Sequence, residues 1–203
     1  MILPPSSFML LARPCRIRSD STIMQASKHT LDSGFPPVAR IDARILILGS
    51  MPSRKSLDEA QYYAHPQNAF WPIMGELFGF SPALPYAERL EQLRDNGFAL
   101  WDVAHQCVRP GSLDQAIDMA TVVANDFPAF FATHKNVRQI FFNGRKAEEL
   151  FRKLVLPALP EGLARIERHL LPSTSPAHAG LSRAAKLAAW QSVKTNLEGK
   201  SPS

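Results

Sequence analysis

Apolar positions along this chain fall into short continuous runs separated by amphipathic stretches, and the pattern becomes regular at Arg44. Ile45-Leu46-Ile47-Leu48 is a β-prone apolar run ending at Gly49, which predicts a strand buried on both faces. Three later runs, Phe98 to Val103, Val137 to Phe142 and Ile166 to Leu171, repeat the theme. Between and after them the spacing predicts helices over Ala69 to Phe78, Tyr86 to Asp95, Asp126 to Thr133, Lys146 to Leu154 and Leu181 to Asn196. In the last, Leu181, Ala184, Ala185, Ala188 and Val193 fall near one face. Alternation of this kind predicts an α/β fold: a three-layer α/β/α sandwich with a central, mostly parallel four-stranded sheet, whose ligand crevice lies at the carboxyl ends of the strands.

The first 35 residues break the pattern, mixing Pro, Ser and Arg without periodicity, so they read as an N-terminal extension to a single domain over residues 36–198. Arg13, Arg16 and Arg18 in that extension could touch DNA or serve targeting, but they read better as a solvated tail. With 203 residues, 45% of them hydrophobic, the chain can bury one substantial core. Lys and Arg outnumber Asp and Glu by 23 to 18, which favours anionic partners such as nucleic acid, although a net charge of +5 is ordinary. Cys15 and Cys107 are too few and too far apart for a four-ligand metal or iron-sulfur site, and no cofactor is expected. Nothing approaches the roughly 20 apolar residues of a membrane span, and the patch Phe8 to Ala12 is short for a signal-peptide core. An intracellular, cytoplasmic monomer is expected, without a membrane partner.

Each loop leaving a strand's carboxyl end carries an unusual cluster. Gly49-Ser50-Met51-Pro52-Ser53 combines a close-approach glycine with exposed amides and hydroxyls, suited to an anion or a flat base, or simply to a turn. It lacks the Gly-Lys-Ser/Thr ending of a P-loop and the spaced glycines of a dinucleotide fingerprint. Tyr62-Tyr63-Ala64-His65-Pro66-Gln67-Asn68-Ala69-Phe70-Trp71 offers aromatic faces that can stack on bases and amides that can read a base edge. Phe70 and Trp71, one turn from Met74 and Leu77, read better as core. Leu171-Pro172-Ser173-Thr174-Ser175-Pro176-Ala177-His178 offers hydroxyls and free amides for phosphate oxygens, or a proline-stiffened helix cap. Asn143-Gly144-Arg145-Lys146 reads as a tight turn that could place positive charge near a DNA backbone.

Taken in order, the segments at 49–53, 62–71 and 171–177 resemble the uracil-DNA glycosylase superfamily, and the resemblance spans about residues 43–195. Met51 stands where the superfamily usually carries Asp, Asn or Glu to hold the hydrolytic water, which makes the chain most similar to the hypoxanthine-DNA glycosylase group. The resemblance implies a monofunctional enzyme of base excision repair. It would flip a deaminated base, preferentially hypoxanthine, out of double- or single-stranded DNA and hydrolyse its N-glycosidic bond. Asn68 would be catalytic, its amide oxygen accepting a hydrogen bond from the attacking water. Tyr63 would stack on the flipped base, with Gly49, Ser50, Met51, Pro52, Ser53 and His65 around it. Asp102 would recognise the base, with His105 as a second candidate. Ser173, Thr174, Ser175 and Pro176 would grip phosphates, with His178 as a neighbouring DNA contact. Leu171 replaces a histidine that in several relatives stabilises the departing base, so that help must come from elsewhere. Other readings stay open: a uracil- or mismatch-type glycosylase, a non-catalytic lesion-binding module, and a serine hydrolase using Ser50 or Ser53, which lacks a Gly-x-Ser-x-Gly elbow.

Overall fold

A computed structural model describes residues 31–198. Its strands are β1 (Leu31–Ser33), β2 (Ile45–Gly49), β3 (Phe98–Asp102), β4 (Ala104–Val108), β5 (Val123–Ala124), β6 (Gln139–Asn143) and β7 (Glu167–Leu171). Its helices are α1 (Arg54–Glu59), α2 (Phe70–Phe78), α3 (Tyr86–Asp95), α4 (Phe127–Thr133), α5 (Arg145–Leu150), α6 (Glu161–Ala164) and α7 (Arg183–Glu198). The four predicted apolar runs become one wholly parallel sheet in the order β3-β2-β6-β7. Alternate residues of its central strands serve opposite faces. Leu46 and Leu48 meet Phe127, Phe130 and Phe131 of α4 and Leu150 of α5, while Ile45 and Ile47 meet α2 and α7 through Phe70, Ile73, Met74 and Trp190. Burial on both faces explains why these strands read as unbroken apolar runs.

Register fixes where the chemistry can be. Gly49 pairs with Asp102, and Asn143 with Leu171, so the carboxyl ends of all four strands reach one level. The loops that leave them are the clusters singled out above.

Three features depart from the sequence reading. A second sheet, antiparallel and ordered β1-β4-β5, was not expected, because its strands are short and half-exposed. The described part of the domain therefore starts at residue 31, five residues inside the expected extension. Buried Asp32 ties β1 down through Arg54 at 2.8 Å and Arg109 at 3.4 Å. Arg13, Arg16 and Arg18 lie outside the described residues. The face α7 buries is also different: Lys186, Trp190 and Val193 face inward, while Ala184, Ala185 and Ala188 are exposed, as is Leu181 just before the helix. One buried Trp removes far more apolar area from water than three alanines, so it sets the helix's rotation. No helix among the described residues is long and apolar enough to cross a membrane.

Candidate active site

The aligned strand ends floor a cleft of about 980 Å³, walled by the loops after β2, β4, β6 and β7 and by the segment before α2. A hollow of similar volume, about 990 Å³, lies at the opposite ends of the strands, beside Arg44, Val137 and Ile166, and touches none of those loops. The first cleft is as large as ligand sites commonly become.

In the first loop, Gly49 is required by contact. A Cβ there would lie 2.2 Å from Asp102 Oδ1 and 3.3 Å from the Tyr63 hydroxyl. Ser50 Oγ donates to Asp114 Oδ1 at 2.7 Å. Met51 lines the cleft but is buried, packing with Ala104, Cys107 and Ile117. The buried Arg109 guanidinium donates to the Pro52 carbonyl, and Ser53 Oγ caps α1 by accepting from the Ser56 amide at 3.2 Å.

The aromatic segment divides its rings between core and cleft. Tyr62 is buried, its carbonyl accepting from Trp71 Nε1 at 3.0 Å and its amide donating to the Tyr86 hydroxyl at 2.9 Å. Phe70 and Trp71 are core residues, as the helical spacing indicated. Tyr63 turns into the cleft from a left-handed backbone (φ 55°) and stacks on Phe70 with ring centroids 4.1 Å apart. Its buried hydroxyl approaches the Asn143 carboxamide without reaching hydrogen-bond geometry. Burial holds that phenol well above its ordinary pKa, and the charge of Asp102 adds to the effect.

Asn68 lines the cleft at the entry to α2. Its Oδ1 accepts the Phe70 amide at 3.0 Å, which caps the helix's first turn. That bond identifies the oxygen and leaves Nδ2 as the donor without a described partner. The expectation that Oδ1 would hold a water meets a competing use of the same atom.

Behind Asn68 stands Thr174, 1% exposed, which ties three loops together. Its amide donates to Asn143 Oδ1 at 2.8 Å, its hydroxyl accepts from Asn143 Nδ2 at 2.9 Å, and its carbonyl accepts from the Ala69 amide at 3.0 Å. Its hydroxyl is thus engaged within the protein, and Ser173 and Ser175 are the hydroxyls nearer the opening. From α7, Lys186 donates to the Ser175 carbonyl at 3.1 Å and Trp190 Nε1 to the Pro172 carbonyl at 3.0 Å. Gly144, at φ 103°, turns the chain where a Cβ would sit 2.9 Å from that of Ser173. His178 is exposed on the rim, near Arg145 and Lys146.

Electrostatically the floor is unusual. Asp102 is 3% exposed, and its Oδ2 has no hydrogen-bond partner among the described residues. Burial pushes its pKa up to about 8, with the charge of Asp114 adding and Arg109 opposing. That shift favours the protonated form of Asp102 near neutral pH.

The fold gathers Gly49, Ser50, Met51, Pro52, Ser53, Tyr63, Asn68, Asp102, Ser173, Thr174, Ser175 and His178 into this one cleft. It does not bring in His65 or Pro176. The His65 ring turns back to accept the Gln67 amide at 3.2 Å, and Pro176 stays outside the lining. His105 is exposed on β4, away from the cleft. Asp114 and Asn143 were missed as site residues. Asn143 could have been found, because it ends a strand as Gly49 and Asp102 do. Asp114 sits in a one-turn 3-10 helix with no periodicity to mark it.

The parallel sheet and the segment before α2 thus bring a buried carboxyl, an aromatic ring and a helix-capping asparagine to one cleft. The chain belongs to the Uracil DNA glycosylase superfamily, which it matches over residues 36–194. It is 36% identical, over 161 residues, to the hypoxanthine DNA glycosylase of Methanosarcina acetivorans, a match covering 79% of this chain and 96% of that one. It is 38% identical, over 117 residues, to the protein of that name from Methanosarcina barkeri, covering 57% and 73%. A solution NMR structure from Methanosarcina acetivorans, named as a candidate uracil DNA glycosylase, superposes with a TM-score of 0.68 at 35% identity, covering 83% of this chain and 99% of that one.

Proposed function

We propose that this DNA glycosylase releases deaminated bases, hypoxanthine foremost, by drawing the nucleotide into the cleft and hydrolysing its N-glycosidic bond. The observation that carries the reading is the buried Asp102 on the cleft floor, its Oδ2 without a partner among the described residues, with Tyr63 lining the same cleft. A departing purine needs a proton or a hydrogen-bond donor as charge moves onto it. Asp102 supplies this where Leu171 cannot. The base must leave the helical stack to reach it, at a cost of a few kcal/mol. Tyr63, backed by Phe70, offers the stacking surface. Ser173, Ser175 and the rim charges Arg145 and Lys146 would grip the phosphates on either side. Leu113, Leu170 and Leu181, large apolar side chains exposed around the opening, suit contact with the disturbed base stack. The enzyme would act as a cytoplasmic monomer on double- or single-stranded DNA.

The direct test is incubation of the purified protein with duplexes carrying one deoxyinosine, uracil or xanthine, followed by alkali. Fastest strand scission at inosine is expected. Fastest scission at uracil would make the protein a uracil-type enzyme, and binding without scission would make it a lesion-binding module.

Two substitutions probe the pocket. Gly49→Ala must displace Asp102 or Tyr63, and misplacement on that scale is expected to slow single-turnover release by about tenfold or more, with an unchanged circular dichroism spectrum. Full activity would show that the glycine's contacts are dispensable. Tyr63→Ala is expected to weaken binding to inosine DNA by roughly tenfold, within the ~1–3 kcal/mol of one stacked base, while Tyr63→Phe keeps the ring and the affinity. Equal binding by all three proteins, measured by fluorescence anisotropy, would exclude stacking.

A further inference from the structure

Hydrolysis of a nucleoside bond also requires something to take a proton from the attacking water, and the residues above leave that role unfilled. Asn68 has no basic atom to spare, and Asp102 is already protonated. Two further carboxylates line the same cleft, and Glu149 is taken up by ion pairs with Lys146 at 3.1 Å and Lys153 at 2.8 Å, which leaves Asp114. Asp114 belongs to the loop between β4 and β5, and that loop is pinned on both sides of it. Ser112 Oγ accepts the Arg54 amide at 3.0 Å, Ile117 is buried against Met51 and Cys107, and the Asp118 amide donates to the Val108 carbonyl at 2.9 Å. The apolar residue at position 51 is thus part of what brings this acidic side chain to the mouth of the first loop.

We infer that Asp114 is the catalytic base, the carboxylate that takes the proton of the attacking water. This rests on the glycosylase reading and completes its proton inventory. Two carboxylates flanking a glycosidic bond divide into acid and base according to their surroundings. Asp102 is sealed, with an oxygen lacking any partner. Asp114 receives the Ser50 hydroxyl at 2.7 Å, a bond that favours its charged form. The charged groups that face it are Asp102 from β3, Arg109 from the loop after β4, and Lys146 from α5, itself paired with Glu149 at 3.1 Å. Burial raises the Asp114 pKa, and Ser50, Arg109 and Lys146 oppose the rise. Its negative charge in turn helps keep the proton on Asp102.

The step balances. The water oxygen bonds to C1′ while one of its protons passes to Asp114. The bond from C1′ to the purine nitrogen breaks, and its electron pair leaves with the base, which takes the Asp102 proton. The products are hypoxanthine and an abasic sugar, and a proton passing from Asp114 to Asp102 through solvent restores the enzyme. In this arrangement Asn68 Nδ2 donates to one lone pair of the water, leaving the other to attack.

The test is single-turnover release from an inosine duplex across pH, for wild type, Asp114→Asn and Ser50→Ala. Asp114→Asn, nearly isosteric, is expected to lose about a hundredfold in rate, at the lower end of what a general base contributes, while binding the duplex within twofold of wild type. Its rate should no longer fall on the acid side. Its alkaline limb should move to lower pH, because Asp102 loses a neighbouring negative charge. Ser50→Ala keeps the carboxylate and removes its donor, so its acid limb should move to higher pH, whatever the height of its plateau. Wild type active with Asp114→Asn within threefold of it, or with the acid limb intact, overturns the inference alone. So does an unmoved limb in Ser50→Ala, which decides the matter if Asp114→Asn does not fold. Wild type releasing no base from inosine, uracil or xanthine duplexes removes the glycosylase reading itself.

Discussion

Asn68→Ala is expected to slow single-turnover release of hypoxanthine by two to three orders of magnitude, about the effect of deleting one preorganised transition-state hydrogen bond. Stability should fall by only about 1 kcal/mol, the usual cost of a lost helix cap. Both effects come from one carboxamide with divided duties. Oδ1 is held by the Phe70 amide at 3.0 Å, which leaves Nδ2 in the cleft lining as a donor without a described partner. Asn68→Ser separates the two, since serine can restore the cap but not the amide donor. Its melting temperature should return toward wild type while its rate stays low. A fully active Asn68→Ala enzyme on inosine DNA would remove this residue from the mechanism.

Asp102→Asn carries the other large effect, and it acts in opposite directions on activity and stability. Without a proton to give, the variant is expected to lose at least two orders of magnitude in release rate. Wild type should itself decline above about pH 8, as Asp102 ionises. The stability effect has a definite sign. The folded protein raises the pKa of Asp102 from 3.8 to about 8, so it holds the proton more tightly than the unfolded chain does. That contribution is fully present below about pH 4 and is lost as pH rises toward 8. Asparagine has no such titration. The stability of Asp102→Asn relative to wild type should therefore increase between pH 4 and 8, by an amount on the order of a few kcal/mol. Denaturant midpoints measured at pH 4, 6 and 8 check this, and parallel pH dependences would show that Asp102 is not buried as a neutral acid.

Much of this was legible in the chain because the central strands are buried on both faces. Ile45 to Leu48 read as such a strand, and the loop that Gly49 opens, which the sequence left as either a turn or a site, lines the cleft. The helix over Tyr86 to Asp95 has the bounds its spacing predicts, since polar residues expose one side and Leu93 fills the other. The antiparallel sheet was not legible: β1 and β5 run for three and two residues, too short to show alternation. The face of α7 was misjudged because a count of apolar positions gives alanine the weight of tryptophan. Asp114 was invisible for a related reason. What brings it to the cleft is Ile117 meeting Met51, a contact between distant segments that no local pattern encodes.

Thr174 also determines which of two partners must bend. Because one buried residue bonds to the segments at 69 and 143 as well as holding its own loop, parting those walls would break its bonds to both. On the reading proposed above, the conformational work of capture is then expected to fall on the duplex, so that a lesion in a weakly stacked or poorly matched pair should enter more readily than one held firmly by its neighbours. A stiff receptor of this kind selects its substrate partly by how easily the DNA yields.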